Sequence, residues 1–106
     1  MSDPADPADS APPAQIRRTL RIRNKLGLHA RAAVKFVQLA AQYQSEITVG
    51  RSGQEANGKS IMGLLTLVAA WGVEIEVAAA GVDATQAIDA LSALVARGFD
   101  EGAVDA

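Results

Sequence analysis

The sequence predicts an α+β fold in which a mainly antiparallel sheet carries helices on one face. Some segments alternate apolar and polar residues, as half-buried strands do, and others repeat apolar residues at helical spacing. In chain order these segments read β-α-β-β-α-β-α. Strands that are apolar on one side only are typical of a sheet with one face on the core and the other in water.

The strand predictions rest on this alternation. "IRRTLRIRN" from residue 16 places Leu20 and Ile22 between threonine and arginines, and "VEIEVAA" from residue 73 alternates valine and isoleucine with glutamate. Between them, residues 46–57 combine a strand pattern with a Ser-Gly turn and predict a hairpin. The arginines at positions 17, 18, 21 and 23 are then interpreted mostly as the wet face of the first strand.

Two of the three predicted helices show one clear apolar stripe. The first begins directly after His29, and its stripe comprises Ala33, Phe36, Val37, Ala40 and Ala41. The last begins at the capping pair Asp83 and Gln86 and ends at Gly98. Its stripe comprises Ala84, Ala87, Ile88, Leu91, Leu94 and Val95.

The remaining helix is predicted over residues 60–71, with Ser60 as its N-cap and Gly72 closing it. Its apolar residues cover nearly the whole circumference: Ile61, Met62, Leu64, Leu65, Leu67, Val68 and Trp71. A sheet can bury only one side of such a helix, so the remainder should form an exposed apolar patch, a common feature of binding sites.

Composition excludes several classes of function. The net charge of -2 and the pI near 5.2 disfavour nucleic-acid binding. With no cysteine and a single histidine, the chain lacks the usual zinc ligands, so no bound metal is expected. No signal peptide or membrane-spanning run is evident, which predicts a cytoplasmic protein without membrane insertion.

The domain organisation follows from composition as well. Residues 1–15 repeat Asp-Pro-Ala and have almost nothing to bury, so they are predicted to be a disordered tail. Residues 16–99 carry the strand and helix patterns and form one domain. Residues 100–106 are predicted to be a flexible C-terminal tail.

The stretch "GLHAR" at residues 27–31 holds the single histidine at the start of the first helix. The first amides of a helix lack internal partners and the helix dipole is positive there, so an anion can bind. Arg31 adds a guanidinium suited to phosphate oxygens. Two interpretations stay open on these residues alone: His29 is a plain surface cap, or its neutral ring nitrogen accepts a phosphoryl group.

Two motifs favour the second interpretation. "NKLGLHARAAVKF", followed about thirty residues after the histidine by "NGKSIMGLLTL", resembles the HPr family of phosphocarrier proteins of the bacterial phosphotransferase system. The resemblance covers about residues 16–99 and is closer to the nitrogen-branch members of proteobacteria than to sugar-branch members. It implies an open-faced β-sandwich with four antiparallel strands and three helices.

The resemblance also implies a function. A phosphoryl group passes from phosphoenolpyruvate through enzyme I to His29 Nδ1, then to enzyme IIA proteins, and Arg31 supports the phosphate. The protein is then expected to be a monomeric carrier without a cofactor of its own. It acts as a cosubstrate of phosphotransferases and is not itself an enzyme. Many members have proline after that arginine where this chain has Ala32. Alanine is an excellent helix former, so the helix should tolerate the difference.

By the same resemblance, Ser60 matches the serine that a dedicated HPr kinase phosphorylates in some bacteria. Its alternative role is that of a helix cap. Ile61, Met62 and Leu65 would surround the histidine and dock partners, while Leu64, Leu67 and Val68 face the core. A regulatory binding module, in which phosphorylation of Ser60 selects the partner, remains the rival function.

Overall fold

The computed structural model describes residues 15–104 and confirms the predicted fold class. Residues 1–14 and 105–106, which belong to the two predicted tails, lie outside the described residues. None of the helices within residues 15–104 is long and apolar enough to cross a membrane. The elements are β1 Gln15–Arg21, α1 Ala30–Ala40, β2 Glu46–Arg51, β3 Gln54–Asn57, α2 Ile61–Leu65, β4 Glu74–Ala80, α3 Ala84–Ala96 and a 3₁₀ turn Gly98–Asp100.

The four strands form one antiparallel sheet in the order β1-β4-β2-β3. Val77 of β4 lies between Arg18 of β1 and Val49 of β2 in the register. β2 and β3 form the predicted hairpin, and its turn at Ser52 and Gly53 uses two left-handed residues with φ of 52° and 81°. The connection between β1 and β2 therefore crosses the sheet, and this crossing carries α1 over the core.

The two faces of the sheet differ as the alternation predicts. Ion pairs from Arg17 to Glu76 at 2.8 Å and from Arg21 to Glu74 at 3.5 Å lie on the outer face. Arg18, on the inner side, instead reaches an aspartate of α3 at 3.1 Å. Exposed pairs of this kind contribute about 0–1 kcal/mol each, so the buried face dominates stability. The buried strand residues on the inner face are Ile47, Val49, Ile75, Val77 and Ala79.

The core lies between this face and the helices. α3 packs on β1 and β4, and α1 packs on α2 and α3. The largest fully buried side chains include Phe36 of α1, Leu64 of α2 and Phe99 of the 3₁₀ turn. The end of the domain thus supplies part of the core.

The prediction of a helix over residues 60–71 is wrong in length, since α2 ends at Leu65. The Thr66 hydroxyl donates to the Gly63 carbonyl at 2.6 Å, and Val68 takes a left-handed conformation with φ of 51°. A β-branched residue rarely adopts that conformation, so the local sequence does not predict a turn at Val68. As a result Val68 is 71% exposed instead of facing the core, whereas Leu67 is buried as predicted.

The capping role predicted for Asp83 is also wrong. α3 begins at Ala84, but Asp83 makes no side-chain cap hydrogen bond. Its carboxylate accepts from the Gln44 amide at 2.8 Å, the Ser45 amide at 2.9 Å and the Ser45 hydroxyl at 2.5 Å. The Ser45 hydroxyl, followed by the Gln44 amide, lowers the pKa of Asp83. Asp83 therefore joins the α1–β2 loop to α3.

The C-terminal segment, residues 98–104, is held against the domain by hydrogen bonds. Lys35 Nζ donates to the Phe99 carbonyl at 2.8 Å, and the Val104 amide donates to the Arg23 carbonyl at 2.7 Å. Trp71 Nε1 donates to the Val104 carbonyl at 3.0 Å. Residues 100–104, assigned to a tail from the sequence, thus contact the domain, while the division of the whole chain into domain and tails stays a prediction.

Candidate functional site

The turn before α1 is hydrogen-bonded to the loop that follows α2. The Gly27 amide donates to the Asn24 carbonyl at 3.1 Å, and the Leu28 amide donates to the Ala69 carbonyl at 2.8 Å. Gly27 has φ of 71°, and a Cβ at this position would lie 2.6 Å from the Ala69 carbonyl oxygen. Glycine is therefore required both by the conformation and by the close approach of the two loops.

His29 is the N-cap of α1, as the sequence predicts. Its backbone is extended, with φ of -79° and ψ of 179°, and its carbonyl accepts from the Ala33 amide at 2.8 Å. The ring Nδ1 accepts from the Arg31 amide at 3.3 Å. The helix N-terminus therefore faces Nδ1, and the side chain is 26% exposed.

The other ring nitrogen faces a carboxylate from the C-terminal segment. His29 Nε2 lies 2.6 Å from Glu101 Oε2. The second oxygen, Oε1, accepts from Asn24 Nδ2 at 3.0 Å, and the same amide donates to the Gly27 carbonyl at 2.7 Å. Asn24 is fully buried. A chain of contacts thus runs from the glycine turn through Asn24 and Glu101 to the imidazole.

These contacts assign the neutral tautomer of the ring. An ionised carboxylate only accepts hydrogen bonds, so the Nε2 atom facing Glu101 carries the proton. The Arg31 amide only donates, so Nδ1 presents its lone pair to the helix N-terminus. Both neighbours favour the same state, in which Nδ1 is the unprotonated ring nitrogen.

The electrostatics of Glu101 support the ionised carboxylate. Burial raises the pKa of Glu101, but the hydrogen bonds from Asn24 and His29 oppose this, as does the charge of Arg31. The net result is a pKa below the ordinary value.

The site can therefore hold an anion beside Nδ1. The first amides of α1 point toward it, and the exposed Arg31 adds a positive charge. Within residues 15–104 no group of three or more histidine, cysteine, aspartate or glutamate side chains could hold a metal ion. The arrangement suits a nucleophilic imidazole that receives a phosphoryl group.

Comparison with known proteins agrees with this geometry. The family described as "PTS-HPr: PTS HPr component phosphorylation site" matches residues 16–97. The chain belongs to the HPr family. It is therefore a member of the phosphocarrier proteins of the phosphotransferase system.

Its relatives include both HPr and NPr proteins. The phosphocarrier protein HPr of Neisseria meningitidis serogroup A is 47% identical over 82% of this chain and 98% of its own length. The phosphocarrier protein NPr of Shewanella violacea is 44% identical over 82% and 96%. A solved HPr from Thermoanaerobacter tengcongensis has a TM-score of 0.79 at 41% identity, covering 81% of this chain and 97% of its own. The resemblance to the nitrogen branch therefore stays a prediction.

An apolar pocket of about 260 Å³ lies beside the imidazole. Among the residues predicted to surround the histidine, Leu65 lines this His29 pocket, whereas Ile61 and Met62 do not. Those two are 36% and 72% exposed on α2. The complete lining is Leu26, Leu28, His29, Leu65, Val68, Ala69 and Ala70.

Ser60 occupies the predicted cap position. Its Oγ accepts from the Gly63 amide at 3.0 Å, and α2 begins at the next residue. This geometry supports the capping role directly. Its role as a regulated residue stays a prediction.

Sequence reasoning missed four residues at this site. Two of them, Leu26 and Val68, lie beside the imidazole and are 69% and 71% exposed. The sequence could have indicated Leu26, because it is an apolar residue in an otherwise polar turn. Asn24 resembles an ordinary turn residue, and Glu101 lies 72 positions from His29. The sequence could have indicated Glu101 through Phe99, because burial of this large apolar residue would place the carboxylates that follow it against the domain.

Proposed function

We propose that this HPr-family phosphocarrier accepts a phosphoryl group from phospho-enzyme I on His29 Nδ1 and delivers it to enzyme IIA proteins. Phosphoenolpyruvate is the ultimate donor. The single observation that supports this proposal is the position of Nδ1. Its lone pair faces the N-terminus of α1 at the Arg31 amide, where an added phosphate would meet the first amides of the helix and a guanidinium.

The transfer uses one nucleophile of this chain, the Nδ1 lone pair of His29. Nδ1 attacks phosphorus while the bond from phosphorus to the group on enzyme I breaks, and that group keeps the bonding electrons. The new phosphate oxygens accept hydrogen bonds from the first α1 amides and from Arg31. Delivery reverses these steps, with a nucleophile of enzyme IIA taking the phosphorus.

Incubation with enzyme I and labelled phosphoenolpyruvate tests the proposal. We expect one phosphate per chain, labile in acid and stable in base, because phosphorus is then bonded to an imidazole nitrogen. Discharge of the label on addition of enzyme IIA is expected to follow. An acid-stable label would place the phosphate on a hydroxyl and would contradict the proposal.

The exposed apolar residues next to His29 are proposed as the docking surface for both partners. Leu26 and Val68 border the imidazole, and Ile61 and Met62 extend the surface along α2. A partner that covers this surface would also exclude water from the transferring phosphate. The expectations of a cytoplasmic location and of a monomer stay predictions.

Arg31→Ala is expected to slow phosphoryl uptake without unfolding the domain. The side chain is exposed in the first turn of α1, so its contribution is to the phosphate and not to packing. Arg31→Lys should restore only part of the rate, because lysine keeps the charge but loses the planar fork. Initial labelling rates and melting curves of the three proteins measure both effects, and equal rates in all three would exclude a role for Arg31.

Phosphorylation of Ser60 is proposed to weaken docking to enzyme I. A charge at this cap would lie beside Ile61, where docking would have to desolvate it. We expect Ser60→Asp to need a higher enzyme I concentration for half-maximal labelling, whereas the neutral, similarly sized Ser60→Asn should not. Both side chains are good caps, so melting temperatures should stay close to each other.

Two results would contradict this use of Ser60. Equal enzyme I dependence of the Asp and Asn variants would show that the docking surface excludes Ser60. A slow Ser60→Asp that melts early would show a structural role alone. Ser60→Ala completes the series, with an expected loss of about 1 kcal/mol from the missing cap.

A further inference from the structure

We propose that Glu101 is a positioning residue for the transfer reaction. Held by Asn24, it fixes His29 in the state with the proton on Nε2 and stabilises the positive charge that the ring acquires when phosphorus bonds to Nδ1. The stabilisation of the positive charge rests on the proposed function, whereas the effect on the tautomer does not. The tautomer of His29 is a property of the free protein and can be tested without any partner.

The geometry gives Glu101 a defined contact with the ring. Its Oε2 lies 2.6 Å from His29 Nε2, about as short as charge-assisted N–H···O hydrogen bonds become. Its Oε1 accepts from Asn24 Nδ2 at 3.0 Å. Each oxygen therefore has its own donor, and rotation of the carboxylate would disturb both contacts.

Burial restricts the carboxylate further. The Glu101 side chain is 16% exposed, and Asn24 is fully buried below it. The backbone on the N-terminal side is anchored by Phe99, which is buried in the core and whose carbonyl accepts from Lys35. On the other side the Val104 amide is hydrogen-bonded to the Arg23 carbonyl. Glu101 thus reaches His29 from a segment that is fixed at both ends.

The chemistry uses this contact in both directions of transfer. When the Nδ1 lone pair forms the N–P bond, the ring keeps its Nε2 proton and becomes an imidazolium. The Glu101 carboxylate balances that charge through the existing hydrogen bond. When phosphorus leaves for the acceptor, the N–P electron pair returns to Nδ1 and the neutral Nε2–H ring is restored. No proton moves in either step.

Glu101→Gln tests the proposal with almost no change of shape. Both carboxylate oxygens now accept hydrogen bonds, and glutamine offers only one accepting oxygen, so either the Asn24 or the His29 contact is lost. Nitrogen-15 NMR of the imidazole should show a smaller fraction of the Nε2–H tautomer. Labelling by enzyme I should slow roughly 10- to 100-fold, the range expected for a hydrogen bond to a charged group. Discharge to enzyme IIA should not slow, because the positive charge that Glu101 balances disappears from the ring in that step.

Asp100→Asn is the matched control. It removes the same charge from the neighbouring residue, whose carboxylate contacts Arg97 at 2.6 Å and not the imidazole. We expect wild-type tautomer and transfer rates from this variant. Glu101→Asp should recover part of the rate, because it keeps the charge on a shorter side chain.

The outcomes separate this inference from the proposed function. An unchanged tautomer in Glu101→Gln, unchanged or faster labelling by enzyme I, or an equal loss in Asp100→Asn would each overturn the role of Glu101. If wild-type protein is not labelled at all, the carrier proposal fails. The tautomer measurement on the free protein still decides whether Glu101 positions the ring.

Discussion

His29→Asn is expected to remove all phosphorylation by enzyme I while leaving the domain folded. His29 is the single histidine of the chain, so no other imidazole can take over. Asparagine is a good N-cap and can accept from the α1 amides as His29 Nδ1 does. The variant therefore isolates the loss of the nucleophile from any loss of the helix, and His29→Ala serves as the second, cap-deficient variant.

The measurement combines labelling with a melting curve for each protein. We expect no acid-labile phosphate on either variant, and a lower melting temperature for His29→Ala than for His29→Asn. Acid-labile label on folded His29→Asn would contradict the carrier mechanism. Label that resists acid would indicate phosphorylation of a hydroxyl such as that of Ser60.

Gly27→Ala is expected to cause a large loss of stability and of transfer. A Cβ at this position would lie 2.6 Å from the Ala69 carbonyl oxygen and 2.9 Å from Ala70 Cα, both backbone atoms that cannot move aside cheaply. The left-handed φ of 71° adds strain. Together these effects should cost about 2–4 kcal/mol of the free energy of unfolding. The displaced turn would also move His29 away from Glu101.

Gly53→Ala provides the matched control for this prediction. Gly53 has a similar φ of 81°, but nothing lies within 4 Å of the position of its Cβ. Its substitution should therefore cost only the backbone strain, about 1–2 kcal/mol, and should leave the labelling rate unchanged. Equal losses of stability in the two variants, measured by denaturant unfolding, would show that the contact with Ala69 and Ala70 is unimportant.

Local patterns predicted the elements that depend on local physics. The sheet alternation, the 46–57 hairpin and the start of α1 at His29 were all evident, because side-chain period, turn residues and capping act over a few positions. The short α2 was not, since Val68 enters the left-handed region only under tertiary constraint and continuous apolar residues carry no stop signal. The contacts of Asp83 were missed for a related reason: its partners lie 38 and 39 positions away.

The residues of the candidate site also differ in whether local sequence patterns could predict them. His29 and Arg31 lie in one motif, so the proposed nucleophile and the proposed anion site could be predicted together. Glu101 and Asn24 act through a contact that the fold alone creates, and neither stands out in composition or spacing. The exposure of Val68 followed from the turn after α2, so an accurate prediction of the docking surface required the backbone first.

The buried Phe99 has a practical consequence for handling this protein. Cleavage by trypsin after the exposed Arg97 would detach an aromatic side chain from the interior, a change that typically costs about 3–5 kcal/mol, and would remove Glu101 at the same time. Resistance to trypsin at this bond is therefore a simple assay of whether the carboxyl-terminal residues are packed against the domain. Purification tags belong after Val104, because a tag joined at an earlier residue would replace part of the structure it is meant to preserve.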